Sequence, residues 1–526
     1  MDDQRQTGSS PPSRDGRSRF LILAAALVLI ATATGFFLLP RLHPPAERET
    51  QDQKESRLFR GWPKPDIALV LSGQEYGYMQ PCGCSEPQKG GLARRFNFIK
   101  TLIEGRKWPV LAADLGDVAQ KSGPQAKIKY VYSMQALEKM NYTAVGIGEG
   151  EGTLPLFEAL GEYALNSPKP KVLAANLNMN DFPGSFPYEL VPAKDGVPSV
   201  GLVGIVGPTV AKVMAGQDPG IKFADEAKTL EEQLKALQSA KAELVVLLYQ
   251  GFEEEAKKLI KKCPGVDVVL YLSREDEPSA QTLKIGRTLL VGVGHKGKHI
   301  GVVGANRTGN PNQPFEFRFQ IVDLEPEYET PDGRDADNPI HALLQEYARK
   351  LKDENYLAKY PTANKHSVQV QFPGSTYIGS EGCKKCHEKA YEIWAASPHP
   401  HAYDTLVNKA KRPTLRQFDG ECIECHVTGF TQVSGFSAAN PVEKLKGVTC
   451  ESCHGPCSLH KANPNNVKIH EAINPWKHRA RKDDRKDLNV KIGDMCQKCH
   501  DIDNDVHFDF EGYWEPKKIA HYTPKD

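Results

Sequence analysis

The chain has 526 residues, which is too long for one ordinary domain and corresponds to about three domains of average size. Its 67 Lys and Arg residues balance 66 Asp and Glu residues to a formal net charge of +1. This balance gives no electrostatic reason to expect nucleic acid or another highly charged macromolecule as a partner.

The first distinctive feature is an uncharged apolar run, FLILAAALVLIATATGFFLL, at residues 20–39. As a helix it would extend about 30 Å, which is enough to cross a bilayer. Four arginines precede the run and only two follow it closely, which predicts a cytoplasmic tail at 1–19 and a periplasmic or otherwise exported remainder. The alternative is a signal peptide cleaved near Ala31-Thr32-Ala33, but the run is longer than a typical signal-peptide core. We therefore predict a single-pass membrane helix.

A polar, proline-containing linker is predicted at 40–64, before a region of 65–325 in which short apolar runs recur. These runs are IALVLSG, PVLAADLG, AVGIG, KVLAANL, VGLVGIVG, ELVVLLY, DVVLYL, TLLVGVG and IGVVGANR. Continuous apolar runs are typical of strands buried on both faces, and the intervening LEEQLKALQSAK and FEEEAKKLIKKC have the pattern of covering helices. The region is predicted to be a layered α/β domain.

The loops that end these runs carry a resemblance to a known family. LVLSGQEYG, LAADLGD, AVGIGEGE, VLAANL, VLLYQGF and VVLYLSRED resemble, in the same order, loops of the calcineurin-like metallophosphoesterases, specifically the 5'-nucleotidase branch. That resemblance implies a two-metal site built from D-x-H, G-D, G-N-H-E, a lone His and G-H-x-H, in which paired divalent ions activate water and clamp the phosphoryl oxygens.

Position by position, this chain retains Asp117 of the G-D pair and loses the imidazoles of the site. The replacing residues are Gln74, Tyr76, Glu149, Gly150, Gln250, Ser273 and Glu275. Without imidazoles the site is not expected to hold the metals of the family, although Asp117, Glu149 and Glu151 have the oxygen ligands that suit a harder ion. The domain is predicted to be a degenerate phosphoesterase in which Asp117 marks the vestigial metal site.

The stretch QPCGCSEPQKGGLARR follows the first of these loops and contains two cysteines. Cys82 and Cys84 have two interpretations, a structural turn or disulfide, and a redox-active or metal-binding thiol pair near the vanished site. Arg94 and Arg95 have the side chains to bind an anion, but paired arginines usually lie in solvent. Cys263, at the end of a predicted helix, is expected in the core.

The strand pattern stops at 326–376, where one helix is predicted around residues 340–351. We therefore interpret this segment as a connector between domains. From 377 to 526 Cys and His become frequent, and the pattern C-x-x-C-H occurs four times. Its thiols are those of Cys383, Cys386, Cys422, Cys425, Cys450, Cys453, Cys496 and Cys499. The histidines that complete it are His387, His426, His454 and His500.

This spacing has a chemical reason. Two thiols three positions apart can bond to the two vinyl groups of one haem, and the adjacent imidazole then ligates the iron. Zinc knuckles explain paired Cys but not a His in the same place each time, and a disulfide framework, which an exported segment permits, does not require the His either. The pattern predicts four c-type haems, with the four motif histidines as proximal iron ligands.

The segment from 377 onward resembles the tetrahaem family typified by cytochrome c554, through YIGSEGCKKCH, WAASPHPHAYDTL, CIECHVTGF, GVTCESCHGPCSLH and YWEPKKIAH. The resemblance implies three haems with two imidazole ligands each and one five-coordinate haem. Carried over by motif, it favours three distal ligands and adds two further candidates. The favoured residues are His399, His460 and His521, and the further ones are His507 and His401. Cys457 stands where the resemblance leads us to expect Gly, and is predicted to be an unpaired buried thiol.

These features predict a membrane-anchored, exported cytochrome that transfers electrons, with the degenerate α/β domain as a docking or redox module. Its expected partner is a redox protein or a quinol-linked complex. Two alternatives stay open. One is a multihaem oxidoreductase acting on a small nitrogen or sulfur compound, since an iron with an open axial site binds small molecules. The other is a 5'-nucleotidase-like hydrolase fused to a cytochrome.

Overall fold

The computed structural model describes residues 57–81, 88–120, 122–154, 160–161, 163, 169–178, 185–279, 281–439, 441–475, 485–505 and 507–514. The predicted membrane helix at 20–39 lies outside the described residues, as do Cys82, Cys84 and His521. No helix in the described ranges is long and apolar enough to cross a membrane. Leu58–Asp526 forms one compact unit by its internal contacts.

Strands occupy the first half of this unit, and each of the nine apolar runs taken as strands from the sequence overlaps one. The strands are β1 (Ile67–Ser72), β2 (Val110–Asp114), β3 (Tyr142–Gly146), β4 (Lys171–Leu173), β5 (Leu177–Asn178), β6 (Tyr188–Val191), β7 (Val200–Val206), β8 (Lys222–Phe223), β9 (Leu244–Phe252), β10 (Val268–Leu272), β11 (Leu283–Ile285), β12 (Thr288–Val291), β13 (His299–Asn310) and β14 (Gln313–Asp323).

Two six-stranded sheets form, with the orders β14-β13-β1-β2-β3-β4 and β11-β12-β10-β9-β7-β6. Most inner pairs are parallel: β1 pairs with β2 from Ala68 opposite Val110, and β7 pairs with β9 from Val200 opposite Leu244, whereas β13 is antiparallel to β1. β5 and β8 form a separate two-stranded ribbon. The expected layered α/β fold is therefore present.

Alternation along the strands of the second sheet shows how the layers pack. Leu202 on β7 and Val246 on β9 belong to the large core shared with the first sheet, whereas their neighbours Val203 and Leu247 face a second core. Since successive side chains of a strand point to opposite faces, the second sheet is covered on both sides. Helices complete the second core, as the pattern of LEEQLKALQSAK and FEEEAKKLIKKC predicts, and Cys263 lies in it.

Helices in the first half cover the sheets, and those in the second half are mostly short. They are α1 (Leu92–Lys100), α2 (Ala126–Lys139), α3 (Glu149–Thr153), α4 (Pro208–Gln217), α5 (Glu226–Ser239), α6 (Glu253–Lys262), α7 (Pro339–Asp353), α8 (Ser367–Gln371), α9 (Glu381–Lys384), α10 (Glu388–Ala395), α11 (Ala402–Asn408), α12 (Gly420–His426), α13 (Cys450–His454), α14 (Ser458–Ala462), α15 (Val467–Ile473), α16 (Arg485–Cys496) and α17 (Phe510–Trp514).

The segment predicted as a connector contributes to the main core. Its helix α7 begins at Pro339, where the side chain of Asn338 accepts a hydrogen bond from the backbone N–H of Ile340 at 3.0 Å. Ile340, Leu343 and Tyr347 on its apolar face are buried in the core of the first sheet. This face attaches the C-terminal half of the compact unit to the α/β layers.

Arg94 and Arg95 correct one expectation, because neither lies in solvent. Arg94 donates through Nε to Glu329 at 2.8 Å, and Arg95 donates through Nη2 to Glu75 at 2.7 Å. Both are buried, and the Arg95–Glu75 pair is 1% exposed on each side. A charge that is removed from water requires a close opposite charge, which each of these arginines has.

Candidate functional site

Each C-x-x-C-H motif lies on a helical turn. The motifs of Cys422 and Cys450 are contained in α12 and α13. In the other two, the backbone N–H of His387 bonds the carbonyl of Cys383, and that of His500 bonds the carbonyl of Cys496, at 3.0 Å each. Positions i, i+3 and i+4 share one face of a turn, so the two thiols and the imidazole of each motif face the same side.

Polar side chains fix where two of these turns begin. Asp419 accepts from the N–H of Glu421 at 3.0 Å, and Thr449 accepts from the N–H of Glu451 at 3.2 Å, which caps α12 and α13. Glu451 is 1% exposed and accepts from the N–H groups of Ile378, Gly379 and Cys457 at 2.7–2.8 Å. Burial raises its pKa, while these three bonds lower it. The side chain of Glu451, inside the third motif, therefore anchors the loop that precedes the first motif.

Three of the four motif imidazoles donate a hydrogen bond through Nδ1. His426 donates to the carbonyl of Ala402 at 2.6 Å and His454 to that of Ile473 at 2.9 Å. His500 donates to the Asp505 carboxylate at 2.7 Å. An imidazole that donates through Nδ1 presents Nε2 as its ligand atom, so all three are in the tautomer that suits ligation of iron.

Two of the predicted distal histidines lie opposite motif histidines. The ring centroids of His387 and His460 are 6.2 Å apart, and those of His399 and His500 are also 6.2 Å apart. Because a metal–imidazole bond is about 2.0 Å long, imidazoles on opposite faces of one metal have centroids roughly 6 Å apart. Both pairs have the ring separation expected for two imidazoles on one iron.

The remaining distal candidates are placed differently. The His401 side chain is 68% exposed and lies 3.6 Å from Asp404, and His507 is also exposed. The ring contacts of the described residues pair neither with a motif histidine. His470 has its ring 6.0 Å from that of His460, which makes it a neighbour of the His387–His460 pair.

Thiols of different motifs are also neighbours. Cys383 and Cys450 are hydrogen-bonded, and Ser380 lies 3.3 Å from the Cys450 sulfur. These bonds lower the pKa of Cys450 to about 7 and raise that of Cys383. Cys425 and Cys499 form a second such contact. The attachment points of the first and third motifs therefore lie side by side, as do those of the second and fourth.

The apolar cores around these motifs are small. One contains eight buried residues and the other four, among them Val368 and Cys457. Cys457 is a buried free thiol, as predicted. Near the motifs Ile502 and Val467 are 79% and 68% exposed. Short helices with so little buried apolar surface are weakly stabilised by their own side chains, which fits a segment that packs around large apolar cofactors.

The vestigial metal site in the α/β layers is filled by its own hydrogen bonds. Gln74 donates to the carbonyl of Ser273 at 3.1 Å and accepts from its N–H at 2.8 Å. Gln250 donates to the carbonyl of Leu115 at 2.7 Å. These amides thus bind protein groups at the positions where the family resemblance implies metal ligands.

The acidic residues of this site are engaged as well. Asp117 accepts from the N–H of Gly150 at 2.7 Å. Glu151 accepts from the N–H groups of Asp117, Ala119 and Gly148 at 2.7–3.0 Å. Within the described residues, the one cluster of three side chains grouped closely enough for a metal is Glu277, His299 and Asp323, of which His299 begins β13 and Asp323 ends β14. Asp117, Glu149 and Glu151 do not form such a cluster.

Comparisons with known proteins match both halves of the chain. The family profile described as "Cytochrome c554 and c-prime" matches residues 382–455. Cytochrome c-554 of Nitrosomonas europaea is 30% identical over 164 residues, which cover 28% of this chain and 64% of that protein. The 5'-nucleotidase of Homo sapiens is 27% identical over 235 residues, which cover 42% of this chain and 39% of that protein.

The chain joins a cytochrome c554-like segment to a 5'-nucleotidase-like segment. Both resemblances inferred from the sequence are thereby confirmed. The chain spans less than two thirds of the length of either relative. Among solved structures, a 5'-nucleotidase precursor from Thermus thermophilus has 18% identity and a TM-score of 0.45, covering 63% of this chain and 67% of that one.

The two segments are joined by buried polar contacts. Gln125, at the start of α2, is fully buried and donates to Tyr347 at 2.8 Å and to Asp419 at 3.0 Å. Its carbonyl oxygen accepts from the N–H of Gly420 at 2.9 Å and from Tyr360 at 2.8 Å. All four hydrogen-bonding positions of this amide are thus used, and all four partners lie C-terminal to the last strand.

Ionic contacts link the segments at a second place. Asp503 lies three residues after His500 and binds Lys296 at 2.5 Å and Lys298 at 3.0 Å. Asp276, on the rim of the vestigial site, binds the same two lysines at 2.9 and 3.4 Å. The fourth motif is therefore held against the loop between β12 and β13.

Sequence reasoning missed Gln125, Asp503 and Asp505. No motif marks a glutamine that binds residues more than 200 positions away. The acidic run DIDND after the fourth motif was visible, but only the fold shows which carboxylate reaches the imidazole and which reaches the lysines.

Proposed function

We propose that the chain carries electrons through four c-type haems, attached at the four C-x-x-C-H motifs. The observation that carries this proposal is the pairing of His387 with His460 and of His399 with His500, each at the spacing of two imidazoles on one iron. Four zinc knuckles would not require these histidine pairs. The thiols of different motifs that lie side by side also support electron transfer, because adjacent attachment points would hold neighbouring haems close to one another.

In this proposal the chain's residues have distinct roles. The motif cysteines hold each cofactor covalently, and the motif histidines ligate iron from one side. His399 and His460 complete two irons, and His521, which lies outside the described residues, is kept as a candidate for another. An iron with two imidazoles passes single electrons, whereas one with an open site also binds small molecules. The caps of α12 and α13 fix where the turns that carry the second and third histidines begin.

We also propose that the apolar run at 20–39 anchors the protein in a membrane, with the rest of the chain exported and a redox protein or quinol-linked complex as its partner. The charge bias around the run supports this orientation. Attachment of c-type haem in an exported compartment is consistent with it. Hydrolysis of a phosphoester is not proposed, because the residues of the vestigial site bind one another.

The haem count tests the main proposal. Protein made with a haem-ligation system is expected to contain four covalently bound haems per chain, measured as the pyridine haemochrome against protein concentration. A variant with Cys450→Ala and Cys453→Ala is expected to contain three, and the matched variant Cys263→Ala, whose thiol lies in the α/β core, is expected to contain four. Colourless protein, or zinc bound at the motif thiols, would contradict the proposal.

A second candidate function is electron exchange with a thiol pair in the 5'-nucleotidase-like segment. Cys82 and Cys84 lie outside the described residues, but a residue before them contacts the haem-bearing half, and one after them packs against residues that contact it. Gln80 binds Arg416, and Gly90 packs against Gly297 and Lys298, which in turn binds Asp503. Oxidation of two thiols to a disulfide releases two electrons and two protons, which matches two one-electron acceptors.

Substitution of these thiols separates the two candidates. In the second candidate, Cys84→Ser is expected to abolish reduction of the haems by a small dithiol donor, followed as the reduced α-band in stopped flow. Cys263→Ser is the matched control and is expected to be reduced at the wild-type rate. An unchanged rate in Cys84→Ser would remove the thiol function and leave the carrier function untouched.

A further inference from the structure

The motif histidines differ in what holds their second nitrogen. His426 and His454 donate through Nδ1 to the backbone carbonyls of Ala402 and Ile473, which are neutral acceptors. His500 donates to the Asp505 carboxylate at 2.7 Å, a distance typical of a charge-assisted bond. The Nδ1 acceptor of the fourth motif is therefore charged, in contrast to those of the second and third.

The Asp505–His500 contact is built into a compact turn. The N–H of Asp505 bonds the carbonyl of Asp501 at 2.8 Å, and the Asp501 side chain accepts from the N–H groups of Asp503 and Asn504 at 2.9 and 2.7 Å. The Asp505 side chain is 15% exposed, so water screens it little. Phe508 stacks on the His500 ring with centroids 4.8 Å apart and planes at 21°.

The other carboxylate of this turn that faces the α/β layers is paired with lysines. Asp503 is bound by Lys296 and Lys298, and the same lysines bind Asp276. The ring opposite His500 is that of His399, with centroids 6.2 Å apart. The carboxylate in direct contact with the proximal imidazole is therefore the feature that distinguishes this motif from the second and third.

We propose that Asp505 is a positioning residue that gives the His500 imidazole anionic character and lowers the reduction potential at the Cys496–His500 motif below that of the carbonyl-bonded motifs. A carboxylate that accepts the Nδ1 proton makes the other nitrogen a stronger donor to the metal, and stronger donation stabilises the ferric state. This inference rests on the proposed attachment of haem at this motif.

The position of the fourth motif predicts a direction of electron transfer. Asp503 holds the fourth motif against Lys296 and Lys298 of the 5'-nucleotidase-like segment. Electrons that enter at the site of lowest potential pass spontaneously to sites of higher potential. Among the second, third and fourth motifs, the fourth is thus the one at which electrons enter, and it lies beside Lys296 and Lys298.

A redox titration followed by visible absorption tests this inference. Wild-type protein is expected to resolve one of four haems at the low-potential end, and Asp505→Asn is expected to raise that component alone by a roughly tenfold change in its reduction equilibrium, about 59 mV for one electron. The control Asp494→Asn removes the same charge from an exposed position two residues before Cys496, and is expected to leave all four potentials unchanged.

The outcomes are separable. Unchanged potentials in Asp505→Asn with four haems attached would overturn the role of Asp505 and leave the proposed function standing. Fewer than four haems in the wild-type protein would instead contradict the proposed function. Should Asp505→Asn fail to attach its fourth haem, the wild-type titration still decides, because four components without a separate low-potential one would overturn the inference.

Discussion

Replacing His399 by alanine is expected to convert one of the four proposed haems from a six-coordinate, low-spin state to a five-coordinate, high-spin state. The His399 ring faces that of His500 at 6.2 Å and is half-buried, which is the arrangement of the second axial ligand in this proposal. About a quarter of the haem absorbance should shift, and the high-spin signal in the electron paramagnetic resonance spectrum of the oxidised protein should increase by one haem per chain relative to the wild-type protein. The reduced variant should bind one additional carbon monoxide per chain.

His401→Ala is the matched control for this experiment. His401 lies two residues away on the same short helical turn, and its side chain is 68% exposed beside Asp404. It is expected to leave the spin state and the carbon monoxide stoichiometry at wild-type values. Low-spin spectra in both variants would exclude His399 as a ligand, and a change in His401→Ala alone would reverse the assignment.

The loss of this ligand should also raise the reduction potential of the affected haem. Two imidazoles stabilise the ferric state more than one, so the variant should be reduced earlier in a titration. With Asp505 still bound to His500, the remaining proximal ligand keeps its carboxylate partner. The combined variant His399→Ala with Asp505→Asn therefore allows the two axial contributions to be compared at one iron.

The α/β fold was largely predictable because its signal is local. β1 and β7 are buried along their whole length, and each appears in the sequence as a continuous apolar run. The edge strand β14 was missed because it alternates apolar and polar residues, as in PFEFRFQIV, and has one solvated face. The ribbon strands β5 and β8 have two residues each, which is too short for any periodicity.

The candidate site was predictable only in part. A covalent attachment motif is a local pattern, so the proximal histidines were named from spacing alone. A distal ligand is fixed by the fold, because His399 reaches a motif 101 positions later and His460 one 73 positions earlier. The family resemblance predicted both residues as distal ligands, but it also gave His401 and His507 as candidates, and these two are exposed. Burial, which a sequence does not state, distinguishes them.

The vestigial metal site was also predictable only in part from the sequence. Gln74, Tyr76 and Asp117 all have positive φ angles, between 51° and 56°. Left-handed backbone is uncommon for residues other than glycine and persists where the surroundings fix it. The backbone shape of a metal-binding loop is therefore compatible with loss of the metal ligands, and hydrogen bonds such as Gln74 to Ser273 take over the role of holding the loops together.

Gln125→Leu is expected to weaken the join between the two segments more than any surface substitution. Leucine has a similar volume but leaves the N–H of Gly420 and the hydroxyl of Tyr360 without the acceptor that they now have. Each buried polar group that loses its partner costs about 1–3 kcal/mol, so a loss of about 2–6 kcal/mol in stability is expected. Because Gly420 begins α12, the second haem motif is the first part of the cytochrome c554-like segment to be affected.

Thermal unfolding followed both by far-ultraviolet circular dichroism and by Soret absorbance measures this effect. The apparent midpoint of Gln125→Leu should fall by several degrees, with the Soret change preceding the loss of secondary structure. Gln238→Leu, on the exposed face of α5, is the matched control and is expected to keep the wild-type midpoint. Equal midpoints in the two variants would show that Gln125 does not stabilise the join, and the four hydrogen bonds of its amide would then be replaceable by water.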